Sequence, residues 1–124
     1  MRHVRRLVGL IVAALVLTPV LAGCAAGPTD RLDASTATVI DVRTPAEYAE
    51  GHLDGAVNID LQSGSFAAEV SALPADASYI VYCRSGNRSA QAVEVMRQAG
   101  FTQVVDAGGI AAAAERTGLT VVVG

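Results

Sequence analysis

The chain has 124 residues and a formal net charge of −3 at pH 7, and all nine of its basic residues are arginine. From Cys24 onward, six arginines face twelve Asp and Glu residues, a balance of 6 − 12 = −6. A body this acidic excludes nucleic-acid binding, which needs a basic face. The length fits one domain that buries a sufficient core without a partner, so we expect a monomer.

The first 24 residues are typical of an export signal. Three arginines lie within residues 1–6, an uncharged apolar run covers residues 7–21, and small residues follow it. The run has 15 residues, whereas a membrane-spanning helix needs about 20. The sequence Leu-Ala-Gly-Cys at residues 21–24 resembles the lipobox of bacterial lipoproteins. The resemblance implies that residues 1–23 are a removed signal peptide and that Cys24 carries the lipid.

This pattern predicts an extracytoplasmic protein anchored to a bacterial membrane through Cys24. The alternative is an ordinary secretory signal in which the cysteine is incidental. We expect residues 24–37 to form a tether of small and polar residues, and residues 38–124 to form the folded domain. If Cys24 is lipidated, Cys83 is the remaining thiol, which excludes an intramolecular disulfide. One cysteine and one histidine, His52, are too few for a structural zinc site, and no cofactor is expected.

Strands alternate with helices along the rest of the chain. Thr44 as N-cap, Pro45 at N1 and Glu47 at N3 mark the start of the first helix. The alternation predicts an α/β fold with a mostly parallel central sheet of about five strands and helices on both faces. In chain order the predicted elements are a strand at 38–42, a helix from Pro45 to Gly51, a turn-rich stretch at 51–56, a strand at 57–59, a helix at 65–73, a strand at 79–82, a helix at 89–99 closed by Gly100, a strand at 104–105, a helix at 110–116 and a strand at 121–123.

Cys83 occupies the turn between a buried strand and a helix. An apolar run at 79–82 precedes it, and a polar loop containing Arg84, Gly86 and Arg88 follows. Backbone N–H groups and the positive end of the helix dipole converge at such a turn, and both favour thiolate over thiol. The alternative is a small core residue, the usual role of a free cysteine, but that would require apolar neighbours on both sides. We therefore expect a nucleophile.

Four blocks, at 41–48, 51–59, 83–89 and 108–110, together resemble the single-domain rhodaneses, in the right order and spacing. The resemblance covers roughly residues 30–124. It implies a sulfurtransferase that moves a sulfane sulfur from a small sulfur-containing anion, such as thiosulfate, to a thiol or cyanide acceptor. Cys83 would be the nucleophile and would carry the persulfide. The residues that would bind the donor are Arg84, Ser85, Gly86, Asn87 and Arg88.

The same resemblance implies supporting roles for three further residues. We expect Asp41 to brace the active-site loop, Arg43 to pair with Glu47 or Glu50, and Ser89 to cap the helix after the loop. For His52 we favour a structural hydrogen bond over base catalysis. Gly86 is expected to adopt a positive φ so that successive amides point inward. The family often has Trp a few residues after Gly-Gly-Ile, whereas this chain has alanine at residues 111–114, Ala113 among them.

Three other functions are weighed against sulfur transfer. A phosphatase or arsenate reductase of the Cys-x5-Arg type needs Arg six positions after the cysteine, but position 89 is Ser. A non-catalytic, membrane-tethered sensor or binding module usually lacks the cysteine that this chain keeps. A thiol-redox partner would require an external resolving thiol.

Overall fold

The computed structural model describes residues 30–124. The predicted signal peptide at residues 1–23 and the lipidation site Cys24 lie outside the described residues. Within residues 30–124, no helix is both long and apolar enough to cross a membrane. The described elements, in chain order, are β1 (Thr38–Asp41), α1 (Pro45–Glu50), β2 (His52–Leu53), β3 (Val57–Asn58), α2 (Phe66–Ser71), β4 (Ser78–Cys83), α3 (Asn87–Gln98), β5 (Gln103–Gly109), α4 (Ile110–Thr117) and β6 (Val121–Val122).

The central sheet is parallel throughout, with the strand order β3-β1-β4-β5. The mostly parallel α/β fold is therefore confirmed, although this sheet has four strands rather than about five. Because all four strands run the same way, their carboxyl ends meet at one edge. In doubly covered sheets this is the edge at which ligands bind.

The predicted closing strand forms outside this sheet. β6 pairs antiparallel with β2, and His52 lies opposite Val122 in the register. The prediction of a turn-rich stretch at 51–56 is wrong at residues 52–53, which form β2. A strand of two residues is too short to carry a period-two pattern, and its partner lies far along the chain. Its pairing therefore depends on tertiary contacts.

Local signals account for the ends of the helices. The Thr44 hydroxyl accepts a hydrogen bond from the Glu47 N–H, and the Glu47 carboxylate accepts one from the Thr44 N–H, so the predicted capping box is present in α1. α3 spans Asn87–Gln98, and Gly100 follows it at a φ of +99°, which confirms the predicted C′ glycine.

Apolar side chains alternate between the two faces of β1 and β4 and build one core on each face. Ile40 and Val81 are fully buried on the face covered by α2 and α3. Ile80 and Tyr82 are buried on the opposite face, which α4 and β2 cover. Cys83 lies on the α3 face, because successive residues of a strand point to opposite sides.

Part of the segment predicted as a tether lies on the domain. Leu32, Ala34 and Ala37 pack against the second core. The Leu32 N–H donates to the carbonyl of Arg116 in the last turn of α4, at 2.8 Å. The chain therefore joins the domain beside the C-terminal end of α4.

Candidate active site

Cys83 is the last residue of β4, and α3 begins only four positions later, so a very short loop joins the two. Gly86, the N-cap of α3, has a φ of +102°, as expected. Gly109, at the end of β5, lies directly under the loop: a Cβ there would come within 2.6 Å of the Arg84 carbonyl oxygen. Two glycines thus allow the loop to curl tightly over the end of the sheet.

Hydrogen-bond donors surround the sulfur of Cys83. The Gly86 N–H donates to Sγ at 2.9 Å, and Ser89 Oγ lies 3.5 Å from Sγ. Burial, the largest influence, acts to raise the pKa of Cys83, and the Ser89 hydroxyl acts to lower it. The backbone N–H groups of Ser89, Gly86 and Ser85 lower it further, so that the pKa lies below its ordinary value. An inert core thiol requires no such ring of donors, so the site favours a thiolate.

The same sulfur has no exposed surface. Cys83 is 0 % exposed and belongs to the apolar core on the α3 face. Arg84, Ser85 and Asn87 are exposed on the loop above it. A reaction partner therefore reaches Sγ only when the loop or the Cys83 side chain moves.

Ser89 does not cap α3, contrary to expectation. The helix begins two residues earlier than predicted, at Asn87, with Gly86 as N-cap, so Ser89 occupies the third helical position. Its hydroxyl donates to the Gly86 carbonyl at 3.1 Å and is buried beside Cys83. The expected cap is thus replaced by a contact with the sulfur.

Arg88 is held by a carboxylate. Its Nη1 and Nη2 donate to the two carboxylate oxygens of Glu47 at 2.7 and 2.9 Å, and both side chains are only about one-fifth to one-quarter exposed (20 % and 24 %). The hydrogen bond from Arg88, with further bonds from Thr44, lowers the pKa of Glu47 to about 2. This pair links the first turn of α1 to the first turn of α3.

Arg43 pairs with Asp41, so the expected pairing with Glu47 or Glu50 is wrong. Arg43 Nη2 lies 2.7 Å from Asp41 Oδ2 and donates to the carbonyl of Gly51 at 2.6 Å. Both side chains are buried, and a buried charge requires an opposite charge close by. Glu47 is already occupied by Arg88 and Thr44.

Asp41 contacts the strand that carries Cys83 rather than the loop. Its Oδ2 accepts a hydrogen bond from the Tyr82 hydroxyl at 2.8 Å, and that hydroxyl accepts one from the Leu53 N–H at 3.0 Å. Burial raises the pKa of Tyr82, so the phenol stays protonated and donates. Sequence reasoning missed Tyr82, although a tyrosine inside a buried strand implies a partner for its hydroxyl.

The remaining residues of interest lie around this centre. His52 Nδ1 hydrogen-bonds the carbonyl of Tyr48 at 2.9 Å, and its ring stacks on the Tyr48 ring at 3.7 Å, which is the structural role expected for it. Ala113, in the region where the family often has Trp, is fully buried in the second core. Within residues 30–124, Arg84 makes no ion pair, and no group of three His, Cys, Asp or Glu side chains is placed to bind a metal.

The fold and the site together define a class of protein. In this class an α/β domain with a parallel sheet carries, at the carboxyl edge of that sheet, a cysteine whose sulfur accepts hydrogen bonds from backbone amides. The model of the rhodanese-like domain family matches residues 29–115. The chain therefore belongs to the rhodanese-like domain family, whose members similar to it include proteins named sulfurtransferases.

Two curated relatives and one solved structure illustrate the similarity. The chain is 37 % identical over 71 residues to the thiosulfate sulfurtransferase PspE of Escherichia coli. This match covers 57 % of this chain and 68 % of the relative. It is 34 % identical to a sulfurtransferase of Allochromatium vinosum over 73 % of this chain and 82 % of the relative. A structure described as a rhodanese with anions from E. coli superposes with a TM-score of 0.58 and 32 % identity, over 70 % of this chain and 98 % of that one.

Proposed function

We propose that this protein is a sulfurtransferase that moves a sulfane sulfur from a donor such as thiosulfate to a thiophilic acceptor through a persulfide on Cys83. The Cys83 thiolate attacks the outer sulfur of thiosulfate, a Cys83–sulfur bond forms, the donor S–S bond breaks, and sulfite leaves with the electron pair. Cyanide or a thiolate then attacks the outer sulfur of the persulfide, which regenerates the Cys83 thiolate. One observation carries the proposal: hydrogen-bond donors converge on Sγ and lower the pKa of Cys83 in spite of its burial.

The loop would stabilise the charge that moves through these steps. The outer sulfur of a persulfide is anionic, and backbone N–H groups from Arg84 to Arg88 are donors that stay protonated. One similar solved structure is described as a rhodanese with anions from E. coli, so anions accompany a protein of this fold. Ser85 and Asn87 would contribute through their backbone, and Gly86 through the turn it permits. Arg84, exposed and without an ion pair within residues 30–124, would meet the incoming donor.

Two other residues would position the nucleophile without touching the substrate. Asp41 holds the Tyr82 hydroxyl, and Tyr82 directly precedes Cys83 in β4. Arg43 neutralises the buried Asp41 carboxylate and bonds to the carbonyl of Gly51. This buried network ties the end of β1 to the end of β4, where the reaction would take place.

Incubation with thiosulfate tests the proposal. We would use the full-length chain in mild detergent with Cys24→Ser, in which Cys83 is the only cysteine. The intact mass should rise by one sulfur atom and return to its starting value when cyanide is added. A second substitution, Cys83→Ser, should abolish the gain. Absence of the sulfur adduct would refute the proposal, and hydrolysis of an aryl phosphate would point to the rival Cys-x5-Arg chemistry.

The complete burial of Cys83 favours one rival, a non-catalytic module. In such a module the sulfur would remain covered and neither donor nor alkylating agent would reach it. Thiosulfate should slow the alkylation of Cys83 by iodoacetamide if donor and reagent compete for the same opened state. A thiol that resists both reagents in the folded protein would support the rival.

We also propose that the protein is lipid-anchored on Cys24 outside the cytoplasm. Support comes from the pattern of residues 1–24 and from the place where the chain joins the domain. The Asp30 carbonyl accepts a hydrogen bond from Arg116 Nε in the last turn of α4, whereas α4 begins next to Gly109 at the loop. At 1.5 Å per residue, the two ends of α4 are about 10 Å apart, so the described chain begins about 10 Å from the helix end that lies next to the loop. Labelling with a clickable fatty acid should mark the wild type and spare Cys24→Ala.

A further inference from the structure

The two arginines of the active-site loop are in different electrostatic situations. Both terminal nitrogens of Arg88 are bound to Glu47, whereas Arg84 is exposed and has no ion pair within residues 30–124. A guanidinium binds a sulfonate through two parallel N–H donors. In Arg88 the two terminal nitrogens that could do so already donate to a carboxylate.

Glu47 is held in this position by more than Arg88. Its Oε2 also accepts hydrogen bonds from the Thr44 N–H at 3.0 Å and from Thr44 Oγ1 at 3.1 Å, as part of the capping box of α1. A donor that competes for Arg88 must displace a carboxylate that three groups hold. Because the pKa of Glu47 is lowered to about 2, this carboxylate carries its charge at neutral pH.

The charge balance around Cys83 follows from these contacts. Arg84 and Arg88 contribute +2, Glu47 contributes −1, and the Cys83 thiolate contributes −1, which leaves no net positive charge to attract an anion. The described residues carry six arginines against twelve acidic residues, a balance of −6. Binding a donor with two negative charges therefore gains no net attraction from these groups and is opposed by the negative charge of the whole domain.

We propose that Glu47 is a specificity-determining residue that, by occupying the guanidinium of Arg88, favours sulfur donors with one negative charge over dianions. This inference rests on the proposed function and names the donor class as organic persulfides. The Cys83 thiolate attacks the outer sulfur of R–S–S⁻, a Cys83–sulfur bond forms, and the donor S–S bond breaks. R–S⁻ leaves with the electron pair, and the negative charge of the outer sulfur stays on the Cys83 persulfide, so no external oxidant or reductant is needed.

Glu47→Gln tests the inference. Glutamine keeps the size of the side chain and satisfies a capping box, so α1 should remain intact while the charge is removed. The second-order rate constants for sulfuration of Cys83 would be compared for thiosulfate, a dianion, and for 2-hydroxyethyl hydropersulfide, a monoanion, in the full-length chain with Cys24→Ser at low ionic strength. Intact mass follows both reactions.

The expected effect scales with the charge of the donor. For charges several ångströms apart near water, one unit charge changes an association step about threefold, so the rate constant should rise about threefold for the persulfide and about tenfold for thiosulfate. A general change in thiol reactivity or in folding alters both rate constants by the same factor and cancels in their ratio. The readout is therefore the thiosulfate-to-persulfide ratio, which should rise about threefold.

Glu50→Gln is the matched control, because Glu50 lies on the same helix, is exposed and has no ion pair within residues 30–124. It should leave the ratio unchanged. An unchanged ratio in Glu47→Gln, with sulfuration by both donors intact, would overturn the role of Glu47 and leave the proposed function standing. If neither donor sulfurates Cys83 in the unsubstituted chain, the proposed function and this inference both fall.

Discussion

Replacing Ser89 by alanine should weaken the Cys83 thiolate without disturbing the fold. In the protonated state the Cys83 thiol donates to Ser89 Oγ, and the Ser89 hydroxyl donates to the Gly86 carbonyl at 3.1 Å. When Cys83 ionises, the hydroxyl turns to donate to Sγ instead. The carbonyl of Gly86 keeps a second donor, the Ala90 N–H at 3.2 Å, so Ser89→Ala does not leave this carbonyl unpaired.

The magnitude follows from the bonds exchanged. A hydrogen bond to a charged group contributes about 1.5–3 kcal/mol, and the neutral bond to the Gly86 carbonyl that the hydroxyl gives up contributes about 1 kcal/mol. The 3.5 Å distance between Ser89 Oγ and Cys83 Sγ places the charged bond at the weak end of its range. The net loss is about 0.5 kcal/mol, which corresponds to about twofold less thiolate at any pH below the pKa of Cys83.

Iodoacetamide alkylation of Cys83, followed across pH by intact mass, measures this change in the full-length chain with Cys24→Ser. The profile should shift to higher pH, and the rate at low pH should fall about twofold. Ser71→Ala, which removes an exposed hydroxyl in α2, is the control and should leave the profile unchanged. Urea denaturation should show a loss of stability below about 1 kcal/mol. An unshifted profile would refute the claim that the Ser89 hydroxyl stabilises the thiolate.

Three further outcomes follow from the contacts described. Tyr82→Phe removes the hydroxyl that donates to Asp41 and accepts from the Leu53 N–H, so both buried groups lose a partner. The free energy of unfolding, measured in urea, should fall by about 1–3 kcal/mol. A loss below about 0.5 kcal/mol would contradict a stabilising role for this hydroxyl. Arg97 and Arg116 donate hydrogen bonds to the carbonyls of Val104 and Asp106 on β5, the edge strand of the central sheet. Replacing both arginines by alanine leaves these carbonyls free to pair with another strand and should cause concentration-dependent self-association, measured by light scattering. A double variant that stays monomeric would contradict this prediction. Because the pKa of Glu47 is lowered from 4.5 to about 2, the ionised carboxylate stabilises the folded state above pH 4.5, and this stabilisation is lost as the pH falls toward about 2. Glu47→Gln should therefore flatten this part of the curve of unfolding free energy against pH. Parallel curves for the two proteins would argue against the ion pair.

Local sequence signals predicted the features that depend on neighbours along the chain. Thr44, Pro45 and Glu47 form the expected start of α1, and Gly100 follows α3 as expected. Gly86 adopts its positive φ because the turn after Cys83 requires it. Hydrophobic runs identified the parallel strands, since a strand buried on both faces is apolar throughout.

The choice of ionic partner was less predictable. The family resemblance led us to expect Arg43 to pair with Glu47 or Glu50, but the structure pairs Arg43 with Asp41 and Glu47 with Arg88. Arg88 lies 41 positions after Glu47, and only the packing of β1, α1 and α3 brings the two side chains together. The same packing starts α3 two residues early and turns Ser89 from a cap into a neighbour of the sulfur.

By itself, then, the amino-acid order determined an α/β domain with a cysteine at the carboxyl end of a central strand, because hydrophobic runs, glycines and capping residues act over a few positions. Only the tertiary structure decided that the sulfur is buried, that Tyr82 stands behind it and that Glu47 occupies Arg88. These contacts join residues far apart in the chain, and their energies depend on burial and on distances of a few ångströms, which spacing along a sequence does not contain.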